Sequence, residues 1–434
     1  MKIEATNGGV QRVGFWACAT LVFSSMVGTG VFTSLGFQIG PLPSPFVILV
    51  LWALGGVVAL CGALSYAELA AALPRSGGEY HFLSRIFHPA LGLMAGIISV
   101  FVGFAAPIAL AAMAFGKYVA AAFPGVPPLW SSVGVTVVLA MVHGMSLKVS
   151  GRFQVVATAL KAALILFFIA AGVTLAHGAD FRPKSGDMAL VLSPGFAISL
   201  MFVMYAYSGW NSAVYIAGEV RSPGRTIPRA LLSATLAVTV LYVALNAVFL
   251  ASAPPAELAG KVEIGEIAAR HLFGEAGGRL MACVIAAGLV AALSALTWAG
   301  PRVAQTAGED FPALSWFSCK SGVPRRALAF QTLIVLILLV SSSFEAVLIY
   351  AEFALIACSC LTVLGLLVLR MREPSLARPF RCPWVPAVPL VFLGIGLFSL
   401  AYTLIERPVQ ALAGIATMGA GAGLYFLVRR NRAQ

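Results

Sequence analysis

Apolar and polar residues are segregated along this chain into long blocks instead of alternating at short period. Twelve stretches, 13–36, 42–68, 90–121, 130–147, 153–176, 194–217, 229–252, 276–299, 327–342, 344–369, 384–405 and 408–428, are predominantly apolar. Nearly all are long enough, at roughly 17 to 25 residues, to cross a bilayer as helices. The ninth is short, and its boundary with the tenth is the least defined. The pattern predicts an all-α integral membrane protein with twelve transmembrane helices.

Two of these blocks carry an interruption. The first contains Ser24-Ser25-Met26-Val27-Gly28-Thr29-Gly30-Val31-Phe32 and the sixth contains Tyr205-Ala206-Tyr207-Ser208-Gly209-Trp210-Asn211. A glycine in a helix interior costs about 1 kcal/mol relative to alanine, and backbone groups freed in lipid have no water to turn to. Such breaks are tolerated where the exposed backbone meets a cavity or ligand, and paired breaks in corresponding positions point to a transport site. At the first break, the amides of Thr29 and Gly30 are placed to meet an anion, while carbonyls near Met26, Tyr205 and Ser208 are placed to accept from an amine. A zwitterionic amino acid fits that pairing. The alternative is that the glycines only permit close helix packing.

Between the blocks, Gly40-Pro41-Leu42-Pro43-Ser44-Pro45 reads as a tight outer turn that places proline in the first turn of the second helix. The loop Pro74-Arg75-Ser76-Gly77-Gly78-Glu79-Tyr80-His81-Phe82 is long enough for a short helix near the inner surface. A second polar connection, Pro254 to Glu275, holds the same rank in the second half. Five helices per half is an odd number, so the halves, 13–176 and 194–369, must be inverted repeats. Two extra helices fill 384–428, with tails at 1–12 and 429–434.

Composition sharpens the class. The chain is 60% hydrophobic and 10% charged, with a mean hydropathy of +0.95, whereas soluble domains carry about 25% charge. The net charge of +12 is distributed by topology: with the N-terminus inside, twenty of the 28 basic residues fall on inner segments, seven on outer ones, and Lys161 lies within a span. This asymmetry places both termini in the cytoplasm and accounts for the charge without nucleic acid. The first span is too long for a signal-peptide core. Seven cysteines without a C-x-x-C pair, mostly in apolar spans, give no disulfide framework or zinc site.

Lys161 stands midway along the fifth span, where a lysine costs at least about 2.5 kcal/mol on insertion. Carbonyls released by the first break are candidate partners. Its ammonium would then take the place of a bound cation, which predicts sodium-independent transport, and a lowered pKa would let it exchange a proton. The alternative is a lysine snorkelling to the inner face. Glu352 either borders the binding cavity, favouring a cationic side chain, or is a solvated gate residue near the outer mouth, the reading preferred here. Glu68 and Glu345 are the other acidic residues near span ends. Glu219, beside Arg221, Arg225 and Arg229, either belongs to an inner gate or simply accompanies positive-inside arginines. The five histidines show no metal-binding spacing, and no nucleophile, base or metal cluster at common depth supports an enzyme.

The chain resembles the amino acid, polyamine and organocation transporter superfamily, and within it bacterial amino acid permeases similar to the L-type exchangers. The resemblance lies in Met26-Val27-Gly28-Thr29-Gly30-Val31-Phe32, Tyr66-Ala67-Glu68-Leu69 with Pro74-Arg75-Ser76-Gly77-Gly78-Glu79-Tyr80, Tyr207-Ser208-Gly209-Trp210-Asn211, the Glu219-to-Ala230 loop, and Arg378-Pro379-Phe380-Arg381. It implies a LeuT-like core whose first ten helices form two inverted five-helix repeats, with helices 1 and 6 unwound at the substrate. By this resemblance Thr29 and Gly30 match the carboxylate-binding backbone, and Met26, Tyr205 and Ser208 match positions whose carbonyls hold the α-amino group. Trp210 and Asn211 match positions beside the pocket and gate, and Lys161 matches the lysine of sodium-independent members. Ser208 stands where many exchangers have glycine, and Gly218 replaces the first of a common Glu-Glu pair. The expectation is a sodium-independent carrier of neutral amino acids in the bacterial inner membrane, working as an exchanger or proton symporter. Glu68, Glu219 and Glu352 are its gate candidates, and no cofactor, metal or obligatory protein partner is expected. A cationic amino acid or polyamine carrier and an amino acid sensor without transport are the alternatives.

Overall fold

The computed structural model describes residues 13–145, 151–176, 178–310, 312–319 and 323–430. The predicted tail 1–12, the segment 146–150 between the fourth and fifth spans, and residues 431–434 of the second tail lie outside them. Among the described residues the architecture is helical, with one isolated parallel bridge between Val13 and Val220. Ten helices are long and apolar enough to span a bilayer: Phe15–Thr33, Pro45–Ala72, Pro89–Ala122, Pro128–Met145, Thr158–Leu175, Pro223–Ser252, Ile264–Gln305, Phe344–Arg372, Ala387–Glu406 and Pro408–Val428. Two shorter elements fall on the predicted sixth and ninth spans. These are Pro194–Tyr207, followed by a 3₁₀ segment Ser212–Glu219, and Arg325–Ser341.

Local chemistry sets the helix starts. Pro45 and Pro194 occupy the first turn of their helices, behind Ser44 and Ser193, whose hydroxyls accept from the amides of Val47 and Phe196; a proline there removes a donor that would be orphaned anyway. The loosely defined ninth-to-tenth boundary falls at Ser341-Ser342-Ser343, with Ser343 capping the tenth span through the amide of Ala346.

The structure departs from the sequence expectation in two places. The third span contains a π-helical turn, Ser99–Ala105, just before Pro107, which has no N–H for the carbonyl four residues earlier, so the ladder shifts by one residue. The polar connection 254–275 is largely helical: Ile264–Asp310 runs continuously apart from a kink at Gly274, where φ is +75°.

At one end of the bundle, Glu68 is wholly buried and clamps three segments. It accepts from Arg370 at 2.9 and 2.6 Å and from the Cys382 amide at 2.7 Å, and it lies 3.3 Å from Arg378. Arg378 also donates to the carbonyls of Leu369 and Glu373, which close the tenth span. The motif around 378 thus holds the second and tenth spans and the entry to the eleventh together.

Candidate functional site

The two interruptions exist and face each other. The first helix stops at Met26, Val27 to Thr29 are non-helical, and a short helix resumes at Gly30. The sixth span stops at Tyr207, and Ser208 to Asn211 form turns before the 3₁₀ segment. Their contact is close: a Cβ on Gly30 would lie 2.5 Å from Ala206 Cα, and one on Gly209, at φ +98°, would lie 2.8 Å from the Ser25 backbone. The Ser34 hydroxyl, just beyond the first break, donates to Phe202 O at 3.3 Å.

The breaks leave backbone groups available. Among the described residues the amides of Thr29, Gly30 and Val31 donate no backbone hydrogen bond, and neither do the carbonyls of Ala206, Tyr207 and Ser208 accept one. Thr29 and Gly30 are buried, and buried donors of this kind require a partner. The Tyr205 carbonyl, expected to accept from an amine, already accepts from the Ser208 amide at 3.0 Å; its hydroxyl interacts with the Thr29 side chain, so Thr29, Gly30, Tyr205 and Ser208 converge on one junction. Met26 contributes differently. Its carbonyl already accepts from the Gly28 amide at 2.8 Å and from the Tyr242 hydroxyl at 2.6 Å.

The fifth span supports the first break from the side. Lys161 Nζ donates to Val27 O at 3.3 Å, and one turn earlier Thr158 donates to the Ser24 hydroxyl at 2.9 Å. This places Lys161 on a carbonyl the break releases. A shallow, largely apolar cleft adjoins it, lined by Gly28, Phe32, Lys161, Ile285 and Gly288 among others.

Trp210 and Asn211 turn toward the second span and the 74–88 connection. Trp210 packs edge-on against Tyr66 at 4.8 Å and Phe392 at 6.1 Å, and Asn211 Nδ2 donates to Glu79 at 3.4 Å. Glu219 is exposed; its carbonyl accepts from the Val13 amide at 3.1 Å, pairing the entry of the first span with the exit of the sixth. Glu345, by contrast, pairs with Arg407 at 2.6 Å. Glu352 is 3% exposed and its Oε2 has no hydrogen-bond partner among the described residues. That overturns the solvated reading: the carboxyl is enclosed near Tyr205 and Cys360.

Sequence reasoning missed Glu79, Tyr118 and Tyr242. Tyr118 donates to Phe32 O at 3.0 Å and accepts from the Gly265 amide at 3.2 Å, supporting the half of the first span that follows the break. Only the position of Glu79 inside a recognised motif could have flagged it. No cluster of three metal-ligating side chains occurs among the described residues.

Two interrupted helices in contact, with unpaired backbone donors and acceptors at one junction inside an apolar helical bundle, define a membrane protein of the permease class. The chain belongs to the amino acid permease family, whose model matches residues 13–421. Among its relatives are the mouse b(0,+)-type amino acid transporter 1, 27% identical over 96% of this chain and 88% of the relative, and the mouse Asc-type amino acid transporter 1, 26% identical over 96% and 81%. The human large neutral amino acids transporter small subunit 2 is 28% identical over 98% and 82%. By their names these relatives are transporters.

Proposed function

We propose that this chain is a sodium-independent amino acid transporter with twelve spans, built as two inverted five-helix repeats plus two C-terminal helices, with both termini in the cytoplasm of a bacterial inner membrane. The observation that carries the reading is the contact between the two breaks. Unpaired amides at Thr29 and Gly30 receive a carboxylate, and carbonyls at Ala206, Tyr207 and Ser208 receive the α-amino group. Binding through the backbone reads the part common to all amino acids, and alternating access then runs as exchange or proton symport. The names of the mouse Asc-type and human large-neutral relatives support neutral substrates. The substrate groups and the coupling lysine all lie in one chain, so the proposal needs no second polypeptide.

Sodium independence rests on Lys161, whose ammonium sits on Val27 O. In proteoliposomes, uptake of labelled alanine or leucine is expected at the same rate in sodium and in choline media. Uptake that follows a sodium gradient contradicts the proposal.

One observation favours a second reading. The enclosed, unpaired Glu352 carboxyl is suited to a cationic side chain, because a buried charge requires a counter-charge. On that reading Glu352→Gln abolishes lysine or putrescine uptake; on the neutral reading the parent carries neither and the variant keeps alanine uptake.

A further inference from the structure

The 74–88 connection holds the inner part of the sixth span by its backbone. The Gly77 amide donates to Tyr215 O at 3.1 Å, and the Ser76 hydroxyl accepts from the Gly218 amide at 3.1 Å. Gly78, at φ +54°, fits under the Tyr215 ring, where a Cβ would lie 2.6 Å from a ring carbon. The short helix Gly78–Ile86 and the 3₁₀ segment Ser212–Glu219 therefore form a cytoplasmic latch directly behind the second break.

At the centre of this latch is a carboxylate with no cation. Glu79 is 4% exposed, and no ion pair joins it to a basic side chain among the described residues. Its Oε1 accepts from Tyr66 Oη at 2.5 Å, Ser359 Oγ at 3.0 Å and Asn211 Nδ2 at 3.4 Å, and its Oε2 from Cys358 Sγ at 3.3 Å. The donors come from the second, sixth and tenth spans, so one side chain joins all three. An ionised carboxylate only accepts, whereas a protonated one must donate at one oxygen. Tyr66, Ser359 and Cys358 can turn their hydrogens and adapt. The Asn211 NH₂ group donates to an ionised oxygen more strongly than to a neutral one, so protonation weakens the sixth-span contact whichever oxygen carries the proton.

We propose that Glu79 is a proton-binding site that controls the cytoplasmic latch of the sixth span, holding it shut when ionised and releasing it when protonated. Its meaning for transport rests on the alternating-access reading above. Burial pushes the Glu79 carboxyl up, and the hydrogen bonds from Tyr66, Cys358 and Ser359 pull it back down. The other titratable groups around it leave this site in control. Tyr215 faces it from the 3₁₀ segment and Cys358 from the tenth span. Glu68, further along the second span, is committed to Arg370 and Arg378. The adjoining helix Pro89–Ile98 carries no acidic or basic residue. On its own helix, His81 is lowered to about 4 by burial and by Arg75 and Arg85, so it stays neutral across the range that protonates a raised carboxyl. The latch is therefore present above the Glu79 pKa and lost as pH falls through it.

Hydrogen–deuterium exchange on the purified full chain tests this without any amino acid, so a failed uptake assay leaves the measurement standing. After correction for intrinsic exchange, segments 76–80 and 212–219 of the parent are expected to exchange roughly ten-fold faster at about pH 5.5 than at about pH 7.5. E79Q, a fixed neutral mimic, is expected to show the fast exchange at both pH values, and Glu79→Asp to restore the pH response. Parent exchange that does not change with pH, or an E79Q protein with parental protection and parental pH response, overturns the proposal. If E79Q does not fold, Asn211→Ala carries the test. It leaves Glu79 with its other three donors, and 212–219 must then exchange fast at both pH values; retained protection with a parental pH response again overturns it.

Discussion

Replacing Lys161 with alanine is expected to lower amino acid uptake in proteoliposomes at least ten-fold while the purified protein still folds. The reasoning starts from the cost of the residue. An ammonium within an apolar span is disfavoured by about 2.5 kcal/mol or more and persists where it has a partner. Its partner is Val27 O, at 3.3 Å, within the three residues that interrupt the first helix. Removing the ammonium leaves that carbonyl bare beside an apolar cleft and removes the only side-chain donor recorded for it among the described residues. The break then loses the charge that fixes its shape, and the side-chain volume removed lies along the cleft that Lys161 lines. Lys161→Arg keeps the charge but spreads it over a planar fork that cannot reproduce a single-point contact, so partial recovery at most is expected. Uptake at the parental rate in the alanine variant would rule out the coupling role and leave Lys161 as a packing residue. A thermal unfolding midpoint measured on the same preparations separates lost function from lost fold.

Lys161 also shows what was legible in the sequence. A lone charge within an apolar block announces that it must be paired, and the block next to a break supplies the carbonyl. The breaks were legible for the same reason, since Gly28-Thr29-Gly30 and Ser208-Gly209 contradict helix propensity where helix is otherwise required. The serine and proline caps follow from local chemistry alone. Glu79 was not legible as a site. Its meaning comes from Tyr66, Asn211, Cys358 and Ser359, which stand 13, 132, 279 and 280 residues away, and no local period connects such positions. Glu352 illustrates the same limit: its place near a span end suggested solvent, and only packing by distant elements shows that it is enclosed. The helix from Ile264 was missed because its Glu266, Arg270 and His271 look like loop. In the folded chain Arg270 and His271 gather on Glu257 at 3.1 Å and 3.0 Å, and Arg270 also lies 3.6 Å from Glu266.

The glycines of the two breaks divide into those that pack and one that does not, and this yields the second large effect. Gly30→Ala is expected to lower both the unfolding midpoint and uptake. Its Cβ would lie 2.5 Å from Ala206 Cα and 2.7 Å from Ala206 Cβ, so the two half-helices must separate. Overpacking of this kind costs about 1–3 kcal/mol. Gly209→Ala carries two penalties, overlap with the Ser25 backbone at 2.8 Å and a φ of +98°, a region that side chains with a Cβ reach at about 1–2 kcal/mol. Gly28→Ala is the contrast, because its Cβ would meet only Met26 O, at 3.9 Å. It should keep the parental midpoint. If Gly28→Ala and Gly30→Ala unfold at the same temperature, close contact between the breaks is not what the Gly-Thr-Gly stretch provides. If they separate as expected, Gly30 and Gly209 are the points where the first and sixth spans seat on each other. The unpaired amides at 29–31 are then held within reach of the carbonyls at 206–208 by steric fit, before any substrate arrives to bridge them.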